Sequence, residues 1–303
     1  MTRELKPLDL DGKSQAKKTE QSGGLTAGLY IVATPIGNAR DISLRALEVL
    51  KGCDVIACED TRMTSKLLAI HGISRPLVPY NDHNAPEMRP KLLARLARGE
   101  VVALVSDAGT PLVSDPGYKL VRDVIGEGMP VVAIPGASAV LAGLALSGLP
   151  SDRFLFAGFL PHRAGERAAI LEELKGVRAT LIFFESAQRL SDSLAAMLQV
   201  LGDRPAVMAR EITKLHEETR RGLLSQLAAH YQTAPAPRGE VTLLIGPPRE
   251  AEADMGKIDA ALKAALPFMP VKAAAEMIAG LTDGSRKAIY ARALDLKEEL
   301  KDE

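Results

Sequence analysis

The side chains most suited to acid–base chemistry lie in two polar clusters, each following a short apolar run. Residues 58–62 read Cys-Glu-Asp-Thr-Arg, and residues 81–84 read Asn-Asp-His-Asn. Carboxylates and His exchange protons, and the guanidinium of Arg binds anions. If the apolar runs are strands of a parallel sheet, both clusters reach the same edge of that sheet. A third cluster, residues 210–218, combines Arg, Glu, Lys and His after another apolar run.

The spacing of His, Cys and Ser residues does not predict a metal site or a catalytic nucleophile. The sequence has no H-x-x-H, C-x-x-C or H-E-x-x-H pattern, so no convergent set of metal ligands is predicted. Ser106 and Ser138 lack the G-x-S-x-G elbow of a nucleophilic serine. Cys53 and Cys58 are expected to be small buried side chains in a reducing compartment.

Three loops rich in Gly, Pro and small residues follow apolar runs at residues 33–38, 106–117 and 134–139. None has the G-x-G-x-x-G or P-loop pattern, so dinucleotides and polyphosphates are poor candidates. Small, nearly uncharged loops indicate an adenosine-type ligand held by main-chain groups, with tight helix–sheet packing as the alternative. Asp107 suits a ribose hydroxyl or an amino group, or a purely structural role. Asp115 is expected to cap the next helix.

Strand–helix alternation predicts an α/β fold with a parallel first sheet. Nearly continuous Val, Ile and Ala runs predict strands at residues 29–33, 54–59, 77–80, 101–106 and 131–134. Amphipathic or small-residue segments between and after them predict helices at residues 42–51, 63–71, 86–98, 117–127 and 137–147.

A second α/β unit is predicted beyond a Gly-Leu-Pro-Ser junction. Its strands are expected at residues 154–158, 180–185, 206–210 and 241–246, and its helices at residues 164–175, 189–201 and 223–231. Two further helices at residues 271–281 and 285–300 resemble a helix-turn-helix, and a helical cap or dimerisation arm is the alternative. The expected division is a disordered extension and three domains, at residues 1–24, 25–149, 150–248 and 255–303.

Charge and composition restrict the partners. Lys plus Arg and Asp plus Glu number 38 each among 303 residues, which gives a net charge of zero. Binding of nucleic acid through bulk charge is therefore not expected, although a local basic face is compatible with this balance. Aromatic residues make up 4% with no Trp, which disfavours a base-stacking platform. No apolar run has the length of a membrane span or a signal core, so a cytoplasmic protein is expected.

Four motifs together resemble the ribosomal RNA small subunit methyltransferase I branch of the tetrapyrrole methylase superfamily. They are residues 29–38 (LYIVATPIGN), 57–62 (ACEDTR), 105–117 (VSDAGTPLVSDPG) and 209–214 (AREITK). The similarity extends from Leu25 to the C-terminal helices, and the order and spacing of the motifs make it specific. One departure lies at residues 183–189, where the family usually has a Pro-His pair and this chain has Ala-Gln. An essential histidine is therefore not expected there.

The resemblance implies an S-adenosylmethionine-dependent enzyme that methylates the ribose 2′-hydroxyl of a cytidine in the decoding region of 16S rRNA. It also implies a homodimer and two α/β domains with the cofactor in the cleft between them, followed by a small helical unit. Because the net charge is zero, 16S rRNA in the assembled small ribosomal subunit is the expected substrate, and free RNA is the alternative. No metal is implied. The cofactor positions of the family correspond to Pro35, Ser106, Asp107, Val113, Ser138, Ala139 and Phe184.

In such a reaction a ribose oxygen attacks a sulfonium methyl group. The positive charge of the donor already activates the methyl, so positioning provides much of the acceleration and a strong base is not required. Three side chains are candidates for the base: Glu59, Asp60 and His83. Arg62 and Lys214 are candidates for orienting phosphate or ribose. Glu211 is expected to form an ion pair with one of those two cations.

Two other functions remain open at this point. The first is methylation of a porphyrin- or corrin-type small molecule by a member of the same superfamily. The motifs at residues 59–62 and 210–214 and the helical unit favour RNA over such a substrate. The second is a non-enzymatic, S-adenosylmethionine-sensing DNA-binding protein that uses residues 271–300. The terminal helices carry Arg286, Lys287 and Arg292, which is a weakly basic set for a recognition helix.

Overall fold

The computed structural model describes residues 24–235, 238–248, 255–282 and 285–302. The chain forms two five-stranded sheets covered by helices, followed by a unit of three helices. The extension expected at residues 1–24 lies outside the described residues, apart from Gly24. No helix in the described ranges is long and apolar enough to cross a membrane.

The first sheet is parallel throughout and has the strand order β3-β2-β4-β1-β5. Its strands are β1 (Gly28–Val32), β2 (Val55–Cys58), β3 (Leu77–Pro79), β4 (Val101–Val105) and β5 (Val131–Ile134). The three central strands β2, β4 and β1 are almost completely buried, as nearly continuous apolar runs require when helices cover both faces of a sheet. The predicted parallel sheet is confirmed.

Four helices cover this sheet, two on each face. They are α1 (Leu44–Gly52), α2 (Thr61–Ile70), α3 (Ala85–Ala97) and α4 (Tyr118–Gly126). Helices α1 and α2 bury Leu50 and Leu68 with one set of alternating strand residues, and helices α3 and α4 bury Leu92 and Leu120 with the other set. Because all strands point the same way, every loop that follows a strand lies at one edge of the sheet.

The second sheet is mixed, with the order β6-β7-β10-β8-β9. Its strands are β6 (Phe154–Phe159), β7 (Thr180–Ser186), β8 (Pro205–Arg210), β9 (Glu218–Leu223) and β10 (Glu240–Ile245). Only the pair β6 and β7 is parallel, and the other neighbours are antiparallel. One face is covered by α6 (Ala164–Leu174), α7 (Leu190–Leu201) and α8 (Leu224–Thr233). Strand β9 is absent from the sequence prediction.

Helix α5 (Ala139–Ser147) packs on the opposite face of the second sheet, although it precedes the predicted domain junction in the chain. Val140 and Leu144 pack with apolar residues of β7, β8 and β10. Gly143 lies so close to β10 that a Cβ atom there would be 3.1 Å from Cγ2 of Thr242. At the end of the helix, Nε of Arg221 on β9 donates to the carbonyl oxygen of Ser147 at 3.3 Å, a favourable position for a cation.

The C-terminal unit consists of α9 (Met255–Ala265), α10 (Val271–Leu281) and α11 (Arg286–Asp302). The three helices share one apolar core. The sequence analysis predicted α10 and α11 but not α9. Arg292 of α11 forms an ion pair with Asp259 of α9 at 2.7 Å and a second one with Glu299 at 3.3 Å. Arg292 therefore contributes to the packing of this unit and adds little to a basic surface.

Candidate active site

A cavity of about 420 Å³ lies between the loop edge of the first sheet and the end of the second sheet, and we call it the cleft. Apolar residues such as Ile36, Val113 and Phe184 form part of its wall. Six carboxylates also line it: Glu59, Asp107, Asp115, Glu185, Glu211 and Glu240. No Lys, Arg or His is among the described residues that line it. The cleft therefore favours a cationic ligand over a phosphate.

The three predicted ligand loops are joined to one another. Thr34 and Gly109 exchange two backbone hydrogen bonds, of 2.8 and 3.1 Å, which connect the loop after β1 with the loop after β4. The hydroxyl of Thr110 donates to the carbonyl oxygen of Ala137 at 3.3 Å, which connects the latter loop with the loop after β5. Leu112 and Ser114 hold left-handed backbone with φ of 72° and 64°. Such conformations are uncommon in residues other than Gly and concentrate at functional sites.

Five of the seven residues predicted to bind the cofactor line the cleft, namely Asp107, Val113, Ser138, Ala139 and Phe184. The other two lie just beneath its surface. Ser106 is buried, and its hydroxyl is within hydrogen-bonding distance of the carbonyl oxygens of Ala108 and Gly109. Pro35 is also buried and directly precedes Ile36, which lines the cleft.

Asp115 does not cap helix α4, contrary to the sequence prediction. The helix begins after Gly117, and no side-chain hydrogen bond caps it. The φ of Gly117 is 135°, and this turn leaves Asp115 on the wall of the cleft. Burial raises the pKa of the Asp115 carboxyl, and the neighbouring charge of Asp107 raises it further, although a hydrogen bond from Ser106 opposes both.

Glu59 follows strand β2 and lines the cleft. Burial raises the pKa of this carboxyl, and the charges of Asp115, Asp107, Asp82 and Asp60 raise it further. A carboxylate whose pKa lies above the ordinary range accepts a proton more readily near neutral pH. Among the three candidates for the base, Glu59 is the only one that lines the cleft within the described residues.

Asp60 has a structural role in the local fold. Its carboxylate accepts a hydrogen bond from the backbone N–H of Arg62 at 2.8 Å, which caps helix α2, and forms an ion pair with the Arg62 guanidinium at 2.6 Å. These bonds lower the pKa of Asp60 to about 2, so it is a weak base. The side chain of Arg62 is 85% exposed, and His83 is exposed between β3 and α3. Asp60, Arg62 and His83 do not line the cleft.

Lys214 lies beside the cleft and contacts two of its carboxylates. Its Nζ atom donates to Oε1 of Glu211 at 2.8 Å and to Oε2 of Glu240 at 2.9 Å. Of the two partners expected for Glu211, the structure therefore pairs it with Lys214 rather than with Arg62. The ammonium group that was expected to orient RNA is occupied by protein carboxylates.

Residues 183–189, where the chain departs from the family pattern, form an intact wall. Phe184 makes edge-to-face contacts with Phe156 and Phe159, with ring centroids 4.7 and 5.6 Å apart. Glu185 is buried and accepts hydrogen bonds from Arg189 at 2.9 Å and from Ser193 at 2.5 Å. No histidine is needed to hold this wall.

Phe159 and Glu240 are among the residues that line the cleft and that sequence reasoning missed. Phe159 follows an irregularity in the pairing of β6 with β7, and it is 57% exposed. The positive φ of Gly158, 68°, accompanies this irregularity. The sequence signal for this irregularity was the Gly that directly precedes Phe159 within a predicted strand. The motif Gly-Glu-Val at residues 239–241 was the corresponding signal for Glu240.

The residues of the cleft fit the cofactor that the resemblance implies. S-adenosylmethionine carries a sulfonium and an ammonium group, and carboxylates complement both charges. Its adenosine can lie against apolar side chains and the main chain of the connected loops. Within the described ranges, no group of three His, Cys, Asp or Glu side chains is arranged to hold a metal ion.

Comparison with solved structures gives the fold. Diphthine synthase aligns with a TM-score of 0.58 at 20% identity, covering 72% of this chain and 89% of that one. Uroporphyrin-III C-methyl transferase from Thermus thermophilus, complexed with S-adenyl homocysteine, aligns with a TM-score of 0.53 at 20% identity, covering 72% of this chain and 96% of that one.

Comparison with sequences gives the family. The model for Tetrapyrrole (Corrin/Porphyrin) Methylases matches residues 28–228, and the model for the RsmI C-terminal HTH domain matches residues 251–297. Ribosomal RNA small subunit methyltransferase I from Mesorhizobium japonicum is 54% identical, over 90% of this chain and 94% of its own length. The protein of that name from Escherichia coli O157:H7 is 43% identical, over 92% of this chain and 99% of its own length. The chain therefore belongs to the ribosomal RNA small subunit methyltransferase I family, within the tetrapyrrole methylases.

Proposed function

We propose that this chain transfers the methyl group of S-adenosylmethionine to the ribose 2′-hydroxyl of a cytidine in the decoding region of 16S rRNA. The observation that carries the proposal is an acidic cleft at the loop edge of the first sheet, with no Lys, Arg or His among the described residues of its lining, in a chain of this family. The cleft favours a sulfonium donor. Family membership favours small-subunit rRNA as the acceptor.

The cofactor site we propose consists of the loops after β1, β4 and β5 together with Phe184. When bound, S-adenosylmethionine supplies a methyl group that is already activated by the positive charge on sulfur. Val113 and Phe184 offer apolar surface to its adenosine. The backbone N–H groups at the start of α5, beside Ser138 and Ala139, are available for hydrogen bonds. Asp107 faces the same space and accepts from ribose hydroxyls or an amino group.

Glu59 is the residue we propose as general base. One of its carboxylate oxygens takes the proton of the 2′-hydroxyl as the ribose oxygen attacks, and the carboxyl then releases that proton to solvent. The raised pKa of Glu59 supports this role, and so does its place on the wall of the cleft. The low pKa of Asp60 makes it a poor alternative.

RNA phosphates are proposed to stay outside the cleft. Lys214 and Arg189 compensate only part of the charge of the six carboxylates. A phosphate would therefore be repelled, and only the ribose should approach the donor. Arg62 is exposed and remains a candidate to bind the backbone of the RNA. A protein without net charge is better suited to a preformed shape than to a flexible strand, which favours the assembled small subunit as substrate. We further propose a homodimer that acts in the cytoplasm.

Methyl transfer from labelled S-adenosylmethionine tests this function. Small subunits and naked 16S rRNA from a strain that lacks the gene would be compared, and the labelled nucleoside identified. Label in 2′-O-methylcytidine, with small subunits the better substrate, is the expected result. Label in a base, or no label despite cofactor binding, would refute it. A small-molecule methylase would then be the alternative, although a cleft without cations is a poor site for the carboxylates of a tetrapyrrole.

A further inference from the structure

Residues 211–214, the 211–214 loop, have a strained backbone beside the cleft. Glu211 and Thr213 are left-handed, with φ of 51° and 70°. Neither is a Gly, so each position is unfavourable unless its surroundings hold it in place. The backbone N–H of Thr213 donates to Oε2 of Glu217 at 2.7 Å, and the N–H of Lys214 donates to the carbonyl oxygen of Glu211 at 2.9 Å. These bonds hold the loop in one conformation.

The 211–214 loop rests on the loop that follows β1 in the first sheet. The backbone N–H of Asn38 donates to Oγ1 of Thr213 at 3.0 Å. A Cβ atom on Gly37 would overlap Cγ of Lys214 and would lie 2.8 Å from Oγ1 of Thr213, so only glycine permits this approach. Ile212 packs with Ile36 in one apolar cluster. The loop thus joins the two halves of the cleft.

Glu211 is held by hydrogen bonds from Lys214 and from the backbone of Glu240. Oε1 of Glu211 accepts from Nζ of Lys214 at 2.8 Å and from the backbone N–H of Glu240 at 3.1 Å. No described residue donates to Oε2 of Glu211. The bond from Lys214 lowers the pKa of Glu211. Burial alone would lower the pKa of Lys214, but its bonds to Glu211 and Glu240 outweigh burial and raise it.

We propose that Lys214 is a positioning residue for the cofactor: it orients Glu211 on the wall of the cleft, where that carboxylate binds a cationic group of S-adenosylmethionine. This inference rests on the proposed function, since it takes the cleft as the cofactor site. Two carboxylates and one ammonium group leave one net negative charge, which suits a cationic ligand. Contact of Lys214 with RNA phosphate is the competing role, and it would require the ammonium group to leave both carboxylates.

Binding of sinefungin, a cofactor analogue with an amine in place of the sulfonium group, tests this role without RNA. Calorimetry on the full chain would compare Lys214→Met, Lys214→Arg, Glu211→Gln and the double variant Lys214→Met/Glu211→Gln. Lys91→Met is the matched control, because Lys91 pairs with Glu87 on the exposed face of α3. Lys214→Met and Glu211→Gln should each weaken binding about tenfold. The double variant should lose no more than either single one, and Lys214→Arg should retain most of the affinity.

The pH dependence separates positioning from a general loss of structure. Without Lys214, the pKa of Glu211 rises, so the deficit of Lys214→Met relative to wild type should grow as pH falls from 8 towards 5. In the Glu211→Gln background, removal of Lys214 should give no such trend. The backbone of Glu240 and the charge of Arg210 also lower the pKa of Glu211. Both residues, like the carboxylates across the cleft, are unchanged in all the variants, so they do not contribute to the differences between them.

Normal sinefungin binding by a folded Lys214→Met or Glu211→Gln variant would overturn the inference. If Lys214→Met then had a raised KM for small subunits and a weaker salt dependence of RNA binding, Lys214 would be a phosphate contact. If Lys214→Met fails to fold, Glu211→Gln decides alone, because it is isosteric. Failure of the wild-type chain to bind sinefungin would instead refute the proposed function itself.

Discussion

Replacement of Glu59 by Gln is expected to reduce kcat for methyl transfer by about a hundredfold. Gln has nearly the same shape, so the substitution removes the charge and the proton-accepting oxygen while the wall of the cleft is kept. General bases contribute about 10²–10⁴-fold. We expect the lower end of that range because the sulfonium donor is already activated and positioning supplies part of the acceleration.

The pH profile gives a second, independent readout. Burial and the charges of Asp115, Asp107, Asp82 and Asp60 all raise the pKa of Glu59. In the wild-type enzyme, kcat should therefore fall on acidification at a higher pH than an ordinary Glu would produce, since the protonated carboxyl accepts no proton. The Glu59→Gln variant should lose this limb. Initial rates at saturating S-adenosylmethionine and small subunits, between pH 5 and pH 8.5, would measure both effects.

Asp60→Asn is the matched control, because Asp60 is adjacent in the chain. Asn still caps helix α2, and the carboxyl it replaces has a pKa of about 2 and is bound to Arg62. Turnover by Asp60→Asn should stay close to wild type at neutral pH. Its acidic limb should be retained but lie at a slightly lower pH, because the charge of Asp60 no longer raises the pKa of Glu59. Equal turnover by Glu59→Gln and Asp60→Asn would refute the assignment of Glu59 as base.

Three further predictions concern stability. Asp115→Asn should raise the melting temperature at pH 7, because burial raises the pKa of this carboxyl and so makes its ionised form unfavourable in the folded chain. The gain should disappear below the pKa of an unfolded Asp, where both states are protonated, and a loss of stability at pH 7 would contradict this account. Arg189→Met should lower the free energy of unfolding by about 3 kcal/mol, because it leaves Glu185 with a buried and unpaired charge. Urea denaturation would measure this loss. A loss well below about 1 kcal/mol would show that the ion pair is dispensable. Gly143→Val should lower the free energy of unfolding by about 1–3 kcal/mol, because its side chain would contact Thr242. Gly280→Ala is the control: a Cβ atom there has nothing within 4 Å, so this substitution should raise the free energy of unfolding by up to about 1 kcal/mol. Equal effects of the two substitutions in thermal unfolding would argue against the close packing of α5.

The sequence predicts the first sheet well because its strands are buried on both faces. Apolar runs such as those of β1 and β4 have no other stable environment, and the helices between them force a parallel arrangement. Strand β9, in contrast, reads Glu-Thr-Arg-Arg-Gly-Leu and lies at an edge, partly exposed along its length. It exists because its backbone pairs with β8, the strand that precedes it, and its mostly polar residues lack the apolar run that indicates a strand.

Helix α9 differs from β9, since its signal was present in the sequence. Ile258, Leu262 and Leu266 recur at the helical spacing of four residues and form the core of the terminal unit. The sequence does not indicate which sheet helix α5 packs against. Its residues are small and apolar all round, so no single face indicates which sheet it covers.

The cleft could be located from the sequence, but the roles of its charges could not. The position of the ligand loops follows from the parallel order of the strands. Whether a carboxylate caps a helix, pairs with a cation or faces a ligand depends on the local backbone conformation, which the residue types do not specify. Asp115 lies on the wall of the cleft two residues before Gly117, whose φ is positive, and the left-handed Glu211 pairs with Lys214 instead of Arg62.

The position of helix α5 has a consequence for how this protein can be divided. The helix is contiguous in sequence with the first sheet, yet it covers apolar residues of β7, β8 and β10. A fragment that starts at residue 150 would expose Ile182, Val207 and Leu244 to water and should aggregate. A fragment that starts at Ser138 would include helix α5, which covers these residues. During synthesis, α5 leaves the ribosome before the sheet it protects, so the nascent chain must hold an apolar helix until that sheet is complete.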